Sequence, residues 1–393
     1  MSINKYVVLR TSGAMVPTLD TIGTSSAHAA LTALESLEVE EVELSTRERH
    51  DLRRDPRTRA IAPPMPMKLI SPVSDAEPES PVKTPWGLEA VKALQSPFDG
   101  SNISVAVLDT GIDPNHPAFS NLELVRRNFT SEEDDDKNGH GTHCAGTIFG
   151  QDVNGTRIGV ARNVKRAIIG KVLGEDGGSS AAIAQAIQWA VSEGAHVVSM
   201  SLGIDFPGYV DNLVKHSGYD IKPATSIALE SYRANINLFG NLAEFVRVQG
   251  LFGEGAILVA ASGNESARPE YEIAVGPPAA GSGVISVGAL GQTNNGFTVA
   301  DFSNNQVDIS GPGVKVLSAI PGGKLRNLSG TSMATPHVAG VAALWAQRQK
   351  EISGRVENRT LQAQLIASGS RAELAVNTEE EDVGTGMVQA PLS

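Results

Sequence analysis

From Asn102 onward, short runs rich in β-branched residues alternate with stretches of helical character, and this alternation constrains the fold more than any other feature. Ile103 to Leu108, Arg166 to Val172, His196 to Met200, Ala256 to Ala261 and Val284 to Val287 read as strands. Ser180 to Glu193 and Thr335 to Gln347 read as helices. The pattern predicts an α/β fold, a mostly parallel sheet with helices on both faces. Such sheets place their sites at the C-terminal ends of the strands.

Three segments of the chain carry residues with reactive side chains. The apolar run Val105-Ala106-Val107-Leu108 ends in Asp109-Thr110-Gly111. Asn138-Gly139-His140-Gly141-Thr142-His143-Cys144 puts a His at the start of an expected helix. Gly330-Thr331-Ser332-Met333-Ala334-Thr335-Pro336-His337 puts a Ser between a Gly turn and an Ala/Val-rich segment. A Ser there sits on the positive end of a helix but needs a base to become a nucleophile. His140 suits that role, and Asp109 would hold its tautomer. Taken singly, Asp109 also suits a strand-end cap, His140 a loop and Ser332 a helix N-cap. Taken together, in the order Asp, His, Ser, they match one known chain order of the Ser-His-Asp triad.

With these blocks the chain resembles the subtilisin-like serine proteases, the subtilases. Val259-Ala260-Ala261-Ser262-Gly263-Asn264 is similar to the family's oxyanion-hole segment, and Ser199-Met200-Ser201-Leu202-Gly203 to its substrate-binding strand. The likeness runs from Pro85-Trp86-Gly87 to Gly384-Thr385-Gly386-Met387. It implies a serine endopeptidase acting on protein or peptide substrates through an acyl-enzyme at Ser332. Asp109, His140, Ser332 and Asn264 would carry the chemistry. Ser201, Leu202 and Gly203 would pair with substrate as an added strand, and Gly263 and Gly276 would line the pocket before the scissile bond. A narrow processing protease is one alternative, with residues 204–252 as its selector. Ser201 and Asn264 are 63 positions apart, more than in compact subtilases. The segment between them includes a helical candidate from Ala224 to Val248. An inactive peptide-binding module is another alternative, against which the four intact residues argue.

The resemblance also implies calcium. Where the family carries a carboxylate after His-Pro, this chain has Ala118 after His116-Pro117. Asp152, Asn154 and Thr156 offer oxygens in a later loop, and Glu132 to Asp136 is an acidic run. His143 and His337 are expected to be structural.

Residues 5–62 read as a separate small α+β unit. Lys5 to Arg10, Val39 to Leu44 and Arg59 to Ala62 are strand candidates, with helices over Ala27 to Leu37 and Thr46 to Arg54. The following stretch, 63–84, is proline-rich and reads as an extended linker. A small unit in this position resembles a subtilase prodomain, which implies an inhibitory prodomain over 1–70, a catalytic domain over 71–393 and self-cleavage between Met67 and Ser71, after Leu69.

The net charge of −12 is unevenly spread. Residues 1–70 hold nine basic and nine acidic groups, so the remainder carries all of it. That argues against nucleic acid as a partner. Cys144 is the only cysteine, which excludes an intrachain disulfide. No apolar run approaches bilayer length, which argues against a membrane partner. The apolar stretch Tyr6 to Leu9 is too short for a secretory signal. A cytoplasmic protein, export by another route, or a signal already removed are all compatible with that.

Overall fold

The computed structural model describes residues 3–12, 36–70, 72, 74–76, 84–251, 253–376 and 378–393. Strand β1 (Ile3–Ser12) lies antiparallel between β2 (Ser36–Ser45) and β3 (Thr58–Ala62). Helix α1 (Thr46–Leu52) starts at a reciprocal cap. The Glu48 N–H donates to Ser45 Oγ and the Ser45 N–H donates to the Glu48 carboxylate. The expected helix over Ala27 to Leu37 lies outside the described residues, except that Ser36 and Leu37 open β2.

Alternation along β1 gives the small sheet two apolar faces. Tyr6 and Val8 cluster with Leu44 and Leu52 of α1. Val7 and Leu9, with Leu37 and Ala62, join instead a core that belongs to the larger body. The linker is ordered where it leaves this unit: β4 (Pro66–Leu69) and β5 (Ser74–Ala76) are both strands.

The larger body follows the alternation in the sequence. It contains α2 (Trp86–Ala90), β6 (Ser104–Asp109), β7 (Glu123–Asn128), α3 (His140–Phe149), β8 (Arg166–Lys171), β9 (Gly178–Ser179) and α4 (Ser180–Ser192). Next come β10 (Val197–Met200), β11 (Leu202–Gly203), α5 (Phe206–Lys215), α6 (Ile221–Gln249), β12 (Ile257–Ala261) and β13 (Val284–Thr293). Then follow β14 (Gly296–Val299), β15 (Ile309–Pro312), β16 (Val316–Ile320), β17 (Lys324–Ser329) and α7 (Thr331–Ser353). The main sheet has the order β14-β13-β12-β10-β6-β8-β7, with β15 also paired to β13, while β5 extends the β16–β17 hairpin. Every pair in the main sheet is parallel except β13–β14.

Period-two alternation in β6 serves both faces. Val105 and Val107 pack in the core with α3 and α7, and Ala106 and Leu108 in the core with α4 and α6. Helix α6 reaches past the sheet to pack on β3 of the small unit. Among the described residues no helix is long and apolar enough to cross a membrane.

Candidate active site

Asp109 ends β6, and His140 opens α3 beside it. His140 Nδ1 lies 2.8 Å from Asp109 Oδ1, and both side chains are buried. Asp109 Oδ1 also accepts from the Thr110 N–H at 2.7 Å. Burial pushes the His140 pKa down. The Asp109 carboxylate pushes it up and prevails, leaving it well above 6.5. His140 Nε2 is buried without a hydrogen-bond partner among the described residues, and the Ser332 hydroxyl is bonded elsewhere.

The start of α3 is held by a residue absent from the sequence-level site. Gly139, at φ +95°, precedes the helix and has no capping side chain. Asp136 supplies the acceptors that a capping side chain would give. Its Oδ1 takes the N–H groups of Asn138 and Gly139, at 3.1 and 2.8 Å. Its Oδ2 takes the Thr142 N–H and hydroxyl, at 2.9 and 2.6 Å. The Thr110 hydroxyl donates to Asp136 at 2.9 Å and accepts from the Gly141 N–H at 2.9 Å. Orphan helix donors are thus satisfied by a carboxylate on the positive helix end. The signal was an Asp shortly before an Asn-Gly turn and a helix, hidden inside an acidic run.

Ser332 stands in the first turn of α7, which begins at Thr331 rather than Thr335. Pro336 has no N–H for the Ser332 carbonyl four residues back. That carbonyl is taken instead by Ser201 Oγ at 3.0 Å and Cys144 Sγ at 3.4 Å. Asn264 is fixed through the residue before Ser332. Its Oδ1 accepts from the Thr331 N–H and hydroxyl, both at 2.9 Å. This directs the amide nitrogen to the other side, beside Gly330.

The cleft holds the chain's own linker. Strand β4 runs antiparallel between β11 and β9, with Leu69 opposite Leu202, Lys68 opposite Gly203 and Met67 opposite Gly178. Ile70 follows, buried, and its carbonyl oxygen accepts from Ser332 Oγ at 3.1 Å. The same hydroxyl lies 3.2 Å from the Ser201 carbonyl. The peptide carbonyl at Ser332 is therefore that of Ile70, one residue beyond the expected Leu69. A Cβ on Gly203 would come within 3.2 Å of Ile70 Cδ1. Gly263 has φ +118°, and a Cβ there would lie 2.3 Å from Asn304 Nδ2. The Gly276 N–H donates to the Ser262 carbonyl at 3.4 Å, which keeps Gly276 beside that loop.

Other candidates are occupied differently. His143 Nε2 faces the Val316 and Arg326 carbonyls, and burial lowers its pKa to about 3. His337 Nδ1 faces the Met333 carbonyl, and burial lowers its pKa to about 4. The proposed calcium residues do not fit a divalent ion. Val153 and Thr156 close a tight turn over Asn154 and Gly155. Asp152 is paired with Arg162 at 3.3 Å, and the half-buried Arg157 faces the carbonyls of Ala93, Gly159 and Val160. Two fixed cations at the loop oppose a third. In the acidic run, Glu132 binds Lys171, Asp135 binds Arg126 and Glu133 binds Lys137. Among the described residues, Asp109, His140 and Cys144 alone bring three His, Cys, Asp or Glu ligand atoms together.

Cys144 Sγ is 3.8 Å from His140 Nδ1, one turn along α3. Burial raises its pKa, so the thiol stays protonated and alkylates slowly. Mercuric ion, a soft metal that displaces the thiol proton, is expected to inhibit peptide hydrolysis. Titration of wild type and Cys144→Ala checks this, and equal sensitivity of the two would rule the thiol out.

A family model described as the subtilase family, peptidase S8, matches residues 100–386. The chain is 31% identical over 337 residues to the major intracellular serine protease of Bacillus subtilis (strain 168), covering 82% of this chain and 92% of that one. It is 36% identical over 268 residues to subtilisin BL of Lederbergia lenta, covering 67% and 84%. It is 38% identical over 281 residues to alkaline elastase YaB of Bacillus sp. (strain YaB), covering 70% and 63%. With a Ser, a His and an Asp gathered at one cleft of a doubly covered parallel sheet, the chain belongs to the subtilase family and is a subtilisin-like serine endopeptidase.

Proposed function

We propose that this endopeptidase is made as a zymogen that cuts its own chain after Ile70. Ser332 is the nucleophile, His140 the general base, and Asp109 the group that orients the imidazole and stabilises its charged form. Asn264 and the Ser332 N–H are the oxyanion donors. One observation carries the reading. The Ile70 carbonyl accepts from Ser332 Oγ at 3.1 Å while the four residues before it are paired into the cleft as a strand. The pairing brings this peptide to the nucleophile, and for attack the Ser332 hydroxyl turns its proton from the Ile70 carbonyl to His140 Nε2.

Ser332 Oγ adds to the Ile70 carbonyl carbon as its proton passes to His140 Nε2. Collapse breaks the bond to Ser71, whose nitrogen leaves with that proton. Water then releases the Ile70 carboxylate and restores Ser332. This divides the chain into a prodomain, 1–70, and a catalytic domain, 71–393. Val7, Leu9, Leu37 and Ala62 share one core with α4 and α6. Fully burying a Val or Leu stabilises by about 1.5–3 kcal/mol, so loss of one peptide bond leaves the prodomain held as an inhibitor.

Other substrates follow the linker's pattern, with an aliphatic residue at the place of Ile70 and a long apolar one at that of Met67, both buried here. N-terminal sequencing of the matured protein is expected to begin at Ser71. A start at Ile70 would return the cut to Leu69, and a start outside residues 68–72 would remove the linker as the substrate.

A further inference from the structure

The linker is gripped before it enters the cleft, at backbone groups beyond the reach of a short substrate. Counting back from Ile70, Met65 is the sixth residue and Pro63 the eighth. The Met65 N–H donates to Ser180 Oγ at 3.1 Å, and the Ser180 N–H donates to the Met65 carbonyl at 3.1 Å. Asn235 Nδ2 donates to the Pro63 carbonyl at 3.0 Å and to the Ser231 carbonyl at 2.9 Å. Ser180, Asn235 and Met65 are all fully buried.

Asn235 sits deep within α6, where an Asn side chain is a poor helix former. Its Oδ1 has no partner among the described residues, so the helix bears the cost of a half-satisfied buried amide. The bond to Pro63 partners the amide nitrogen, leaving only Oδ1 unpaired, and is absent when the linker is absent. Pro64 restricts Pro63 to extended backbone, which presents its carbonyl with little entropy left to lose.

We propose that Ser180 and Asn235 form an anchor for the backbone of segment 63–65, which extends peptide recognition to the sixth and eighth residues before the reacting carbonyl. It holds the chain's own linker in register for cutting and retains the prodomain afterwards. The inference rests on the self-processing reading for its biological use, whereas the anchor itself is tested separately. It gives part of the 204–252 segment a positioning role toward this chain's own propeptide. Because both groups bind main chain, the anchor senses the length and direction of a peptide more than its side chains.

The test uses the full chain carrying Ser180→Ala and Asn235→Ala, and Ser180→Ala alone in case the double variant folds poorly. Two probes are synthetic peptides ending in a chromogenic amide after Ile70, one spanning residues 63–70 and one spanning 67–70. Mature wild type is expected to show a KM for the long peptide about thirtyfold below that for the short one, at about threefold for each of the three hydrogen bonds. In the double variant the ratio should fall to about threefold, that of the Ser180 N–H bond to the Met65 carbonyl which neither substitution removes, and Ser180→Ala should fall between. Self-cleavage of the double variant should slow about tenfold. General damage to the fold would weaken both peptides alike and leave their ratio intact. A wild-type ratio near one, or a double variant that keeps the wild-type ratio, overturns the anchor. A wild-type chain that never cuts itself overturns the self-processing reading, and the peptide ratio still decides the anchor.

Discussion

Replacing Ser332 by alanine is expected to leave all 393 residues uncut and to lower kcat on peptides by about 10⁶-fold, the loss that removing this nucleophile brings in subtilisin. The expectation rests on the Ile70 carbonyl, which accepts from Ser332 Oγ at 3.1 Å. Cys144 cannot replace the nucleophile, because its sulfur faces the Ser332 backbone carbonyl behind it and its thiol is held protonated. The Ser201 hydroxyl is likewise committed to that carbonyl. Residues 1–70 meet the Ser332 side chain only through the Ile70 carbonyl among the contacts described above, and the β4 pairings with β9 and β11 do not use it, so the variant should fold and keep its linker in the cleft. Intact mass measured in a host without proteases able to cut there decides the matter. A Ser332→Ala chain cleaved between Ile70 and Ser71 in that host would show that another enzyme does the processing.

The fold was largely readable because its signals are local. Strand β6 is an unbroken apolar run that stops at a carboxylate, and α3 opens on an Asn-Gly turn. Such features are written within ten residues. What could not be read depends on partners far along the chain. Helix α7 starts four residues before the expected Thr335 and runs through Pro336, whose missing N–H donor to the Ser332 carbonyl is replaced by Ser201 and Cys144, 131 and 188 positions away. The linker reads as extended from its prolines alone, yet only its pairing with β9 and β11 sets which carbonyl meets Ser332. Ladder pairing stops at Leu69, so the carbonyl delivered is the next one, that of Ile70. The acidic run misled for a related reason. Composition cannot separate Asp136, buried under donors from Thr110, Asn138, Gly139 and Thr142, from neighbours that pair with cations. At the Asp152 loop the oxygens are local in sequence, whereas the charges of Arg157 and Arg162 reach them only through the fold.

Asn264→Ala is expected to lower kcat by about 10²–10³, the cost of losing the corresponding donor in subtilisin, with little change in KM. A substrate carbonyl in the ground state has little charge to stabilise, whereas the tetrahedral intermediate carries a full negative charge on that oxygen. Only the second state needs the amide. Asn264 is suited to wait for it, because two bonds from Thr331 at 2.9 Å fix its carbonyl end and so fix the direction of its nitrogen. No reorganisation is then required during reaction. The same bonds raise a rival explanation, since removing Asn264 also releases Thr331, the residue next to the nucleophile. Thr331→Ala separates the two. It removes one of the bonds and leaves the amide in place, so it should cost about tenfold at most, in line with one neutral hydrogen bond. If Thr331→Ala loses as much kcat as Asn264→Ala, the effect lies in positioning Ser332. If Asn264→Ala leaves kcat unchanged, the amide does not meet the oxyanion, and the Ser332 N–H must be supported by some other donor.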